Sequence, residues 1–151
     1  MKIDKKIIVL FLLLLAFQIH VDGLAKSASD QLQENKKLVL DFFRVVFEAE
    51  NADAANQYLA EDYIQHNPKV PTGRDGFIKY FKAKWKEPKQ VSAELKEPPQ
   101  AVVAEGDLVT LMWKVERPEP ADKSKNYDSY WFDMFRIKNG KLSEHWDNAL
   151  K

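Results

Sequence analysis

The residues best suited to acid–base chemistry lie near the end of the chain. Asp133, His145 and Asp147 occur within the segment Tyr127–Asn148, among tryptophans and phenylalanines. A carboxylate placed beside a second carboxylate or an imidazole is a common arrangement for moving protons. Carboxylate and imidazole also bind metals, and His66 would complete a two-histidine, one-carboxylate set. Since the spacing matches no recognised metal motif, we expect acid–base chemistry without a metal or another cofactor.

The turn between the last two strands decides whether these groups share a face. Asn139-Gly140 between apolar, alternating runs predicts a β-hairpin. If these two residues alone form the loop, Asp133 lies on the opposite face from His145 and Asp147. If the loop begins one residue earlier and Gly140 forms a left-handed bulge, all three groups share one face. The residues by themselves leave both registers open.

The two registers also differ in what lies opposite Asp133. The two-residue loop puts Asp133 opposite Trp146, whereas the three-residue loop puts it opposite His145. The three-residue loop also gathers an apolar patch on the other face, formed by Phe132, Met134, Leu142 and Trp146. Because a soluble monomer rarely exposes a contiguous apolar patch of more than a few hundred Å², this register predicts a homodimer through that face.

Residues 1–25 have the features of a signal peptide. A basic start, Met1–Lys6, precedes the apolar run Ile7–Ile19, and the small residues Gly23 and Ala25 suit a signal peptidase. The run is short for a membrane span, which needs about 20 apolar residues; an uncleaved N-terminal anchor is the alternative. We therefore predict a secreted or periplasmic protein, cleaved near Ala25 and without stable membrane association afterwards.

The rest of the chain has the length and composition of one folded domain, expected over residues 29–151. The 151 residues include 23 basic and 23 acidic side chains and no cysteine. Without disulfides, packing of the core must hold the fold. No basic stripe stands out against the acidic residues, which argues against a nucleic-acid partner.

Three segments in the first half of the chain predict helices. Ser29–Glu50 carries apolar residues at helical spacing, and Asp53 can cap a short helix that ends at Leu59. A third helix is expected to start at Thr72–Asp75, which resembles a capping box. The apolar stripe of the first helix consists of Val39, Phe42, Phe43, Val46 and Phe47.

A polar corner follows the second helix. Pro68 disfavours helix at the residue before it, so His66 and Asn67 are expected in an extended corner. With Tyr63 just before them, these residues either line the mouth of a pocket or form a solvated turn.

From Gln90 onwards the pattern becomes β. Strands are expected at Val91–Lys96, Ala101–Ala104 and Leu108–Glu116, followed by a polar loop at Pro118–Asn126 and then the hairpin. Three helices followed by about five strands predict an α+β domain, with the helices packed on a strongly curved, mostly antiparallel sheet. A cone of this kind would enclose a central pocket with aromatic walls, which is the usual form of a small-molecule site.

Four stretches are recognisable together: AEDYIQHNP (60–68), VPTGRDGF (70–77), VAEGDLV (103–109) and FDMFRIKNGKLSEHWD (132–147). In this order they resemble the SnoaL-like polyketide-cyclase branch of the nuclear transport factor 2-like (NTF2-like) superfamily, in particular its predicted aldol-condensation-catalysing enzymes. The resemblance runs from about residue 38 to residue 147. It implies a cone-shaped NTF2-like fold that often dimerises through the outer face of the sheet.

The resemblance also implies roles for individual residues. In polyketide cyclases of this type an aspartate near the chain end is the acid/base, and Asp147 matches it. Asp133 falls where a second pocket group sits, and His66 matches a pocket histidine. Because both aspartates must then face the pocket, the resemblance favours the three-residue register. The residues expected to bind the substrate are Tyr63, Asn67, Trp113, Trp131, Phe135 and His145.

The activity implied is an aldol-type cyclisation or an isomerisation of a small carbonyl compound. Many relatives carry a histidine in the strand that reads Leu111-Met112-Trp113 here, and this chain has none. A module that binds a small molecule without catalysis is therefore the alternative function. A structural alternative also stays open for the hairpin, in which Asp133 and His145 form a buried ion pair that only holds the register.

Overall fold

The computed structural model describes residues 28–150. The predicted signal peptide and its cleavage site near Ala25 lie outside these residues. Within the described part, no helix combines the length and the apolar character that a membrane crossing requires.

Three helices lie in the first half of the described chain. α1 covers residues 28–42 and continues as a π-helix over Phe43–Glu48. A 3₁₀ turn at Ala52–Ala54 leads into α2 at Ala55–Tyr58, and α3 spans Arg74–Lys82. The three predicted helices are therefore confirmed, with a wider π turn at the end of the first.

Five strands form one sheet that is curled but not closed. β1 runs parallel to β5, the other three pairings are antiparallel, and the order across the sheet is β1-β5-β4-β3-β2. The helices pack against one face, which confirms the predicted α+β class. The strands are β1 (Leu59–Gln65), β2 (Ala101–Glu105), β3 (Leu108–Pro118), β4 (Asn126–Lys138) and β5 (Lys141–Asp147).

β1 was not predicted from the sequence. Its two fully buried residues, Leu59 and Tyr63, are four positions apart, and its pairing with β5 shifts between Leu59 and Ile64. This irregularity hides the alternation that normally marks a strand.

The strand predicted at Val91–Lys96 is absent. This segment has no regular structure, and its end is held by a side chain instead of a neighbouring strand. One oxygen of the Glu48 carboxylate accepts the backbone N–H groups of Lys96 (2.8 Å) and Glu97 (3.1 Å). The sheet therefore has five strands, as expected, but β1 takes the place of the strand predicted at Val91–Lys96.

The hairpin of β4 and β5 combines features of both predicted registers. Asn139 and Gly140 form a two-residue turn, with φ values of 53° and 69° that suit an Asn-Gly hairpin turn. Further along β5, Ser143 is an extra residue without a partner, and the pairing shifts by one position there. The three-residue loop is therefore wrong, because the bulge lies in β5 and not in the turn.

This bulge decides which side chains face the helices. Leu142 and His145 both point inward although they are three positions apart, and Leu142 is fully buried. The prediction that placed Leu142 on the outer face is wrong for this reason. Asp147 follows His145 on the inner face and pairs with Asp133. Asp133, His145 and Asp147 thus share one face, but the residue opposite Asp133 is Asp147 and not His145.

The core joins the helices to the inner face of the sheet. Phe42 of α1 is its centre, with ring centroids 6.0 Å from Phe77 of α3 and 5.7 Å from Phe135 of β4. All three rings are almost fully buried, and each contributes about 1.5–3 kcal/mol through burial. This aromatic packing sets the distance between the helices and the strands that carry the polar groups.

Thr72 does not cap α3 as predicted. The residue at the start of α3 is Gly73, with φ 83° and no side-chain cap. The Thr72 hydroxyl instead donates to the Tyr63 carbonyl (3.2 Å) and accepts the Gln65 backbone N–H (3.1 Å). Thr72 therefore holds the end of β1, where Tyr63 and Gln65 face the interior.

Candidate functional site

A cavity of about 880 Å³ lies between the helices and the inner face of the sheet. Part of its polar lining lies where β1, β4 and β5 adjoin and consists of Gln65, Asn67, Asp133, His145 and Asp147. An apolar cavity with a few convergent polar groups is the usual form of a small-molecule site. The aromatic part of its wall includes Phe43, Phe47, Phe77, Trp113, Trp131 and Phe135.

Asp133 is held by three nitrogen partners. Its Oδ2 accepts the indole N–H of Trp113 (2.8 Å), and its Oδ1 accepts the indole N–H of Trp131 (3.1 Å). Oδ1 also lies 3.0 Å from Nε2 of His145. Trp113 and Trp131 can converge on one carboxylate because they are paired neighbours on β3 and β4. With its side chain 10% exposed, Asp133 has little capacity left for a ligand.

His145 uses both of its ring nitrogens within the protein. Nε2 faces Asp133, and Nδ1 lies 2.8 Å from Oε1 of Gln65. The same Gln65 oxygen accepts the backbone N–H of Asn67 at 2.9 Å. The imidazole also packs against Phe135, with ring centroids 4.5 Å apart. His145 is therefore held in one orientation.

Asp147 is less enclosed. Its Oδ2 accepts the side-chain amide of Asn67 at 2.6 Å, and its Oδ1 accepts the backbone N–H of Ala149 at 2.9 Å. A carboxylate offers about four lone-pair sites, so each oxygen keeps one for a molecule in the cavity. The predicted corner before Pro68 is what allows Asn67 to reach across from β1 to Asp147.

Tyr63 provides a hydroxyl in the cavity wall. Burial raises the pKa of Tyr63, and the negative charges of Asp133 and Asp147 raise it further. The hydroxyl accepts a long hydrogen bond from the Gln65 amide (3.4 Å) and stays protonated at neutral pH. Within residues 28–150 it donates to no other side chain, which leaves its proton available to a ligand.

His66 does not line the cavity, contrary to what the resemblance implied. Side chains alternate along β1, so Tyr63 and Gln65 point inward and His66 points outward. Its ring stacks on Trp146 on the outer face of the sheet, with centroids 5.2 Å apart, and its Nε2 lies 2.8 Å from Glu144. From this position His66 cannot reach a molecule in the cavity.

By distance alone, Asp133, His145 and Asp147 could hold a metal ion, because their ligand atoms lie within 4.8 Å of one another. The hydrogen bonds argue against it. A metal would need a free nitrogen on His145, and both nitrogens already face Gln65 and Asp133. The outward position of His66 also removes the second histidine of the set considered above.

Two features of the site were missed in the sequence. Gln65 was not among the predicted site residues, because β1 was not recognised as a strand. Once β1 is known, alternation from Tyr63 places Gln65 on the same face. Trp113 and Trp131, which were expected to bind a ligand, do line the cavity, but the sequence did not show that their indole N–H groups are directed at Asp133.

A family profile described as SnoaL-like domain matches residues 39–145 of the chain. The chain belongs to the SnoaL-like domain family. This domain is part of the NTF2-like superfamily, and the match covers all five strands except the final residues of β5. No curated protein matches the sequence significantly.

Several solved structures share the fold of this SnoaL-like domain. A protein from Acidithiobacillus ferrooxidans, named as a polyketide cyclase, is 21% identical with a TM-score of 0.54, over 76% of this chain and 86% of its own. An epoxide hydrolase of the LEH-like type from M. tuberculosis is 14% identical with a TM-score of 0.53, over 78% and 83%. A SnoaL-like protein from Shewanella denitrificans, also named as a polyketide cyclase, is 14% identical with a TM-score of 0.52, over 75% and 88%. At these identities the likeness shows the fold.

Proposed function

We propose that this SnoaL-like domain binds a small, largely apolar carbonyl compound and removes a proton from the carbon beside the carbonyl, in an aldol-type cyclisation or an isomerisation. The observation that supports this best is the carboxylate of Asp147 in the cavity wall, which Asn67 holds and which keeps lone pairs for a ligand. Fixed donors and acceptors in an apolar cavity act more strongly on developing charge than they would in water.

Asp133 and Asp147 have different roles in this proposal. A general base must come within hydrogen-bond reach of the proton that it takes. Asp133 is surrounded by Trp113, Trp131 and His145, whereas Asp147 has two partners and faces the cavity. Asp147 therefore acts as the base, and Asp133 orients the groups around it.

Tyr63 is the donor that stabilises the enolate oxygen. Because burial raises the pKa of Tyr63, its hydroxyl stays protonated and can donate without becoming charged. The amide of Gln65 donates to the hydroxyl oxygen, which fixes the direction of the oxygen and leaves its proton free. A neutral donor held in place before the reaction needs no reorganisation when charge develops.

The test uses 5-nitrobenzisoxazole, which opens to a coloured phenolate when a base removes its ring C–H proton. This probe reports on a general base in an apolar cavity and does not require the natural substrate. Asp147→Asn should lower kcat/KM by about a hundredfold or more, while the melting temperature stays close to that of the wild type. Asp62→Asn, which removes an exposed carboxylate of β1, is the matched control and should leave the rate unchanged. If Asp147→Asn keeps the wild-type rate, Asp147 is not the base and the proposal is wrong.

Binding of a small molecule without catalysis is the second candidate function. The closed set of hydrogen bonds around Asp133 and His145 favours it, since such a pair also serves to hold a hairpin register. Two results together would favour binding over catalysis. An apolar fluorescent ligand would bind to the cavity of the wild type, and the wild type would take the proton from 5-nitrobenzisoxazole no faster than a free carboxylate does.

We also propose that the protein is exported and cleaved near Ala25, on the support of the basic start and the apolar run Ile7–Ile19. Intact-mass measurement of protein from the extracytoplasmic fraction should give a chain that starts at about residue 26. A full-length species that stays in the cytoplasm would contradict export.

The mature protein is further proposed to form a homodimer through the outer face of the sheet. Apolar residues that lie about half exposed or more on this face support it: Ile64 (47%), Val103 (62%), Tyr130 (45%) and Phe132 (44%). A second copy of the same face would cover these residues on both chains at once.

A further inference from the structure

The amide oxygen of Gln65 contacts two nitrogens at hydrogen-bond distance. It lies 2.9 Å from the backbone nitrogen of Asn67 and 2.8 Å from Nδ1 of His145. We infer that Gln65 is a positioning residue, whose amide oxygen keeps a proton on Nδ1 of His145 and thereby directs Nε2 at Asp133. As a role in catalysis this rests on the function proposed above, but as a statement about His145 it stands independently.

The backbone N–H of Asn67 fixes which end of the Gln65 amide faces the histidine. A backbone N–H can only donate, so the atom that receives it must be the amide oxygen and not the NH₂ group. If the amide were flipped, two donors would face each other at 2.9 Å. The orientation of Gln65 therefore follows from the hydrogen-bonding pattern.

The orientation of Gln65 in turn decides the proton on His145. An amide oxygen is an acceptor only, so the ring nitrogen 2.8 Å away must carry a hydrogen. Nδ1 of His145 is thus N–H, whether the ring is neutral or charged. A neutral ring with its single proton on Nε2 would place the Nδ1 lone pair against the Gln65 oxygen.

The proton on Nδ1 also restricts the protonation states that His145 and Asp133 can adopt together. Nε2 lies 3.0 Å from Oδ1 of Asp133, and two lone pairs at this distance would repel. Either an imidazolium donates to the carboxylate, or a protonated Asp133 donates to Nε2. In both states one proton lies between Nε2 and Oδ1, and the two side chains together have no net charge. The hydrogen bond from Nδ1 to Gln65 therefore leaves Asp147 as the one net negative charge among Asp133, His145 and Asp147.

Gln65 also connects this pair to the proposed base. The backbone of Asn67 donates to Gln65, and the side chain of Asn67 donates to Asp147 at 2.6 Å. One amide oxygen therefore holds both the ring that faces Asp133 and the residue that orients Asp147. Loss of this oxygen should disturb the proton on His145 first, because the backbone of Asn67 remains attached to β1.

The test is a long-range ¹H–¹⁵N correlation spectrum of the histidines in the ¹⁵N-labelled protein. The chain has three histidines, and His66 on the outer face serves as an internal reference. In wild type, Nδ1 of His145 should show the shift of a protonated ring nitrogen. An unprotonated shift at Nδ1 in wild type would overturn the inference, whatever the activity.

Two substitutions separate the role of the oxygen from a general effect on folding. Gln65→Met removes the acceptor, so Nδ1 of His145 should lose its proton while Nε2–H donates to Asp133. Gln65→Glu supplies an acceptor again and should keep the proton on Nδ1. Gln57→Met, at an exposed position of α2, is the matched control and should leave the spectrum of His145 unchanged. If Nδ1 of His145 keeps its proton in Gln65→Met, Gln65 does not position the ring.

The rate measurement distinguishes this inference from the proposed function. With 5-nitrobenzisoxazole, Gln65→Met should lower kcat by about tenfold, since it removes the groups that orient His145 and Tyr63. It should change KM by less than about twofold, because a side chain of similar size still fills this part of the cavity wall. If wild type shows the protonated Nδ1 while Asp147→Asn keeps full activity, the proposed base is wrong and the positioning of His145 by Gln65 still holds.

Discussion

Asp133 and Asp147 lie directly opposite each other on β4 and β5, and both side chains contribute to the cavity wall. Asp133 is enclosed by two indoles and an imidazole, while Asp147 is held by the amide of Asn67 and one backbone N–H. Two carboxylates of the same type thus have different capacities for a ligand.

Deletion of Ser143 should turn the bulge into regular pairing and lower the free energy of unfolding by no more than about 1 kcal/mol. The pairs on either side, Ile137 with Leu142 and Arg136 with Glu144, then become consecutive, so His145 and Asp147 keep the inner face. Ser143→Ala is the control; it removes only the hydroxyl bond to the Arg136 carbonyl (3.2 Å) and should cost about 1 kcal/mol. Urea denaturation measures both, and a loss of about 4 kcal/mol or more on deletion, typical of a disrupted core or polar network, would show that Ser143 is not the extra residue of β5.

Trp113→Phe should lower the free energy of unfolding by about 2–3 kcal/mol, because the Asp133 carboxylate loses one of its N–H donors. Trp85→Phe is the matched control. Trp85 is stacked on Phe81 at 4.6 Å and donates to no carboxylate within residues 28–150, so its substitution tests the loss of ring area alone. Chemical denaturation at neutral pH should show the larger loss for Trp113→Phe, and equal losses would mean that the indole N–H contributes little.

The raised pKa of Tyr63 predicts a loss of stability at alkaline pH. Below the ordinary tyrosine pKa of about 10, the hydroxyl is protonated in the folded and unfolded states, so it has no effect on the pH dependence. Above that pH the unfolded chain releases the proton and the folded one keeps it, so stability falls by up to about 1.4 kcal/mol per pH unit.

Tyr63→Phe should remove this part of the alkaline loss. Urea denaturation at about pH 9 and about pH 11, on either side of the ordinary tyrosine pKa, measures the difference. Tyr127→Phe, at an exposed tyrosine, is the control, and its free energy of unfolding should fall with pH as that of wild type does. A Tyr63→Phe slope equal to that of wild type would contradict the burial of an ionisable hydroxyl at this position.

Phe132→Asp should convert the proposed homodimer into monomers, because it places a charge in the apolar part of the outer face, where Phe132 is 44% exposed. Light scattering at micromolar concentration measures the mass, and Lys138→Asp, at an exposed residue near the turn, serves as the control. A wild-type protein that is already monomeric under these conditions would contradict the dimer.

Much of the fold could be predicted from local patterns. The helical spacing of Val39, Phe42 and Val46 indicates one buried face, and Asn139-Gly140 indicates a tight hairpin turn. Both features depend on neighbours in sequence, and both occur in the structure. The resemblance carried by YIQHNP and NGKLSEHWD added the family, which the match over residues 39–145 confirms.

The sequence by itself determined the α+β class, the turn and the set of polar residues near the chain end. Tertiary structure alone decided which of them converge. The parallel pairing of β1 with β5 brings Gln65 and Asn67 to His145 and Asp147 from 80 residues away, and it turns His66 outward. The bulge at Ser143 then sets the face of everything after it. Neither feature has a local signal, because a strand with irregular burial and a single inserted residue are stabilised by packing against distant parts of the chain.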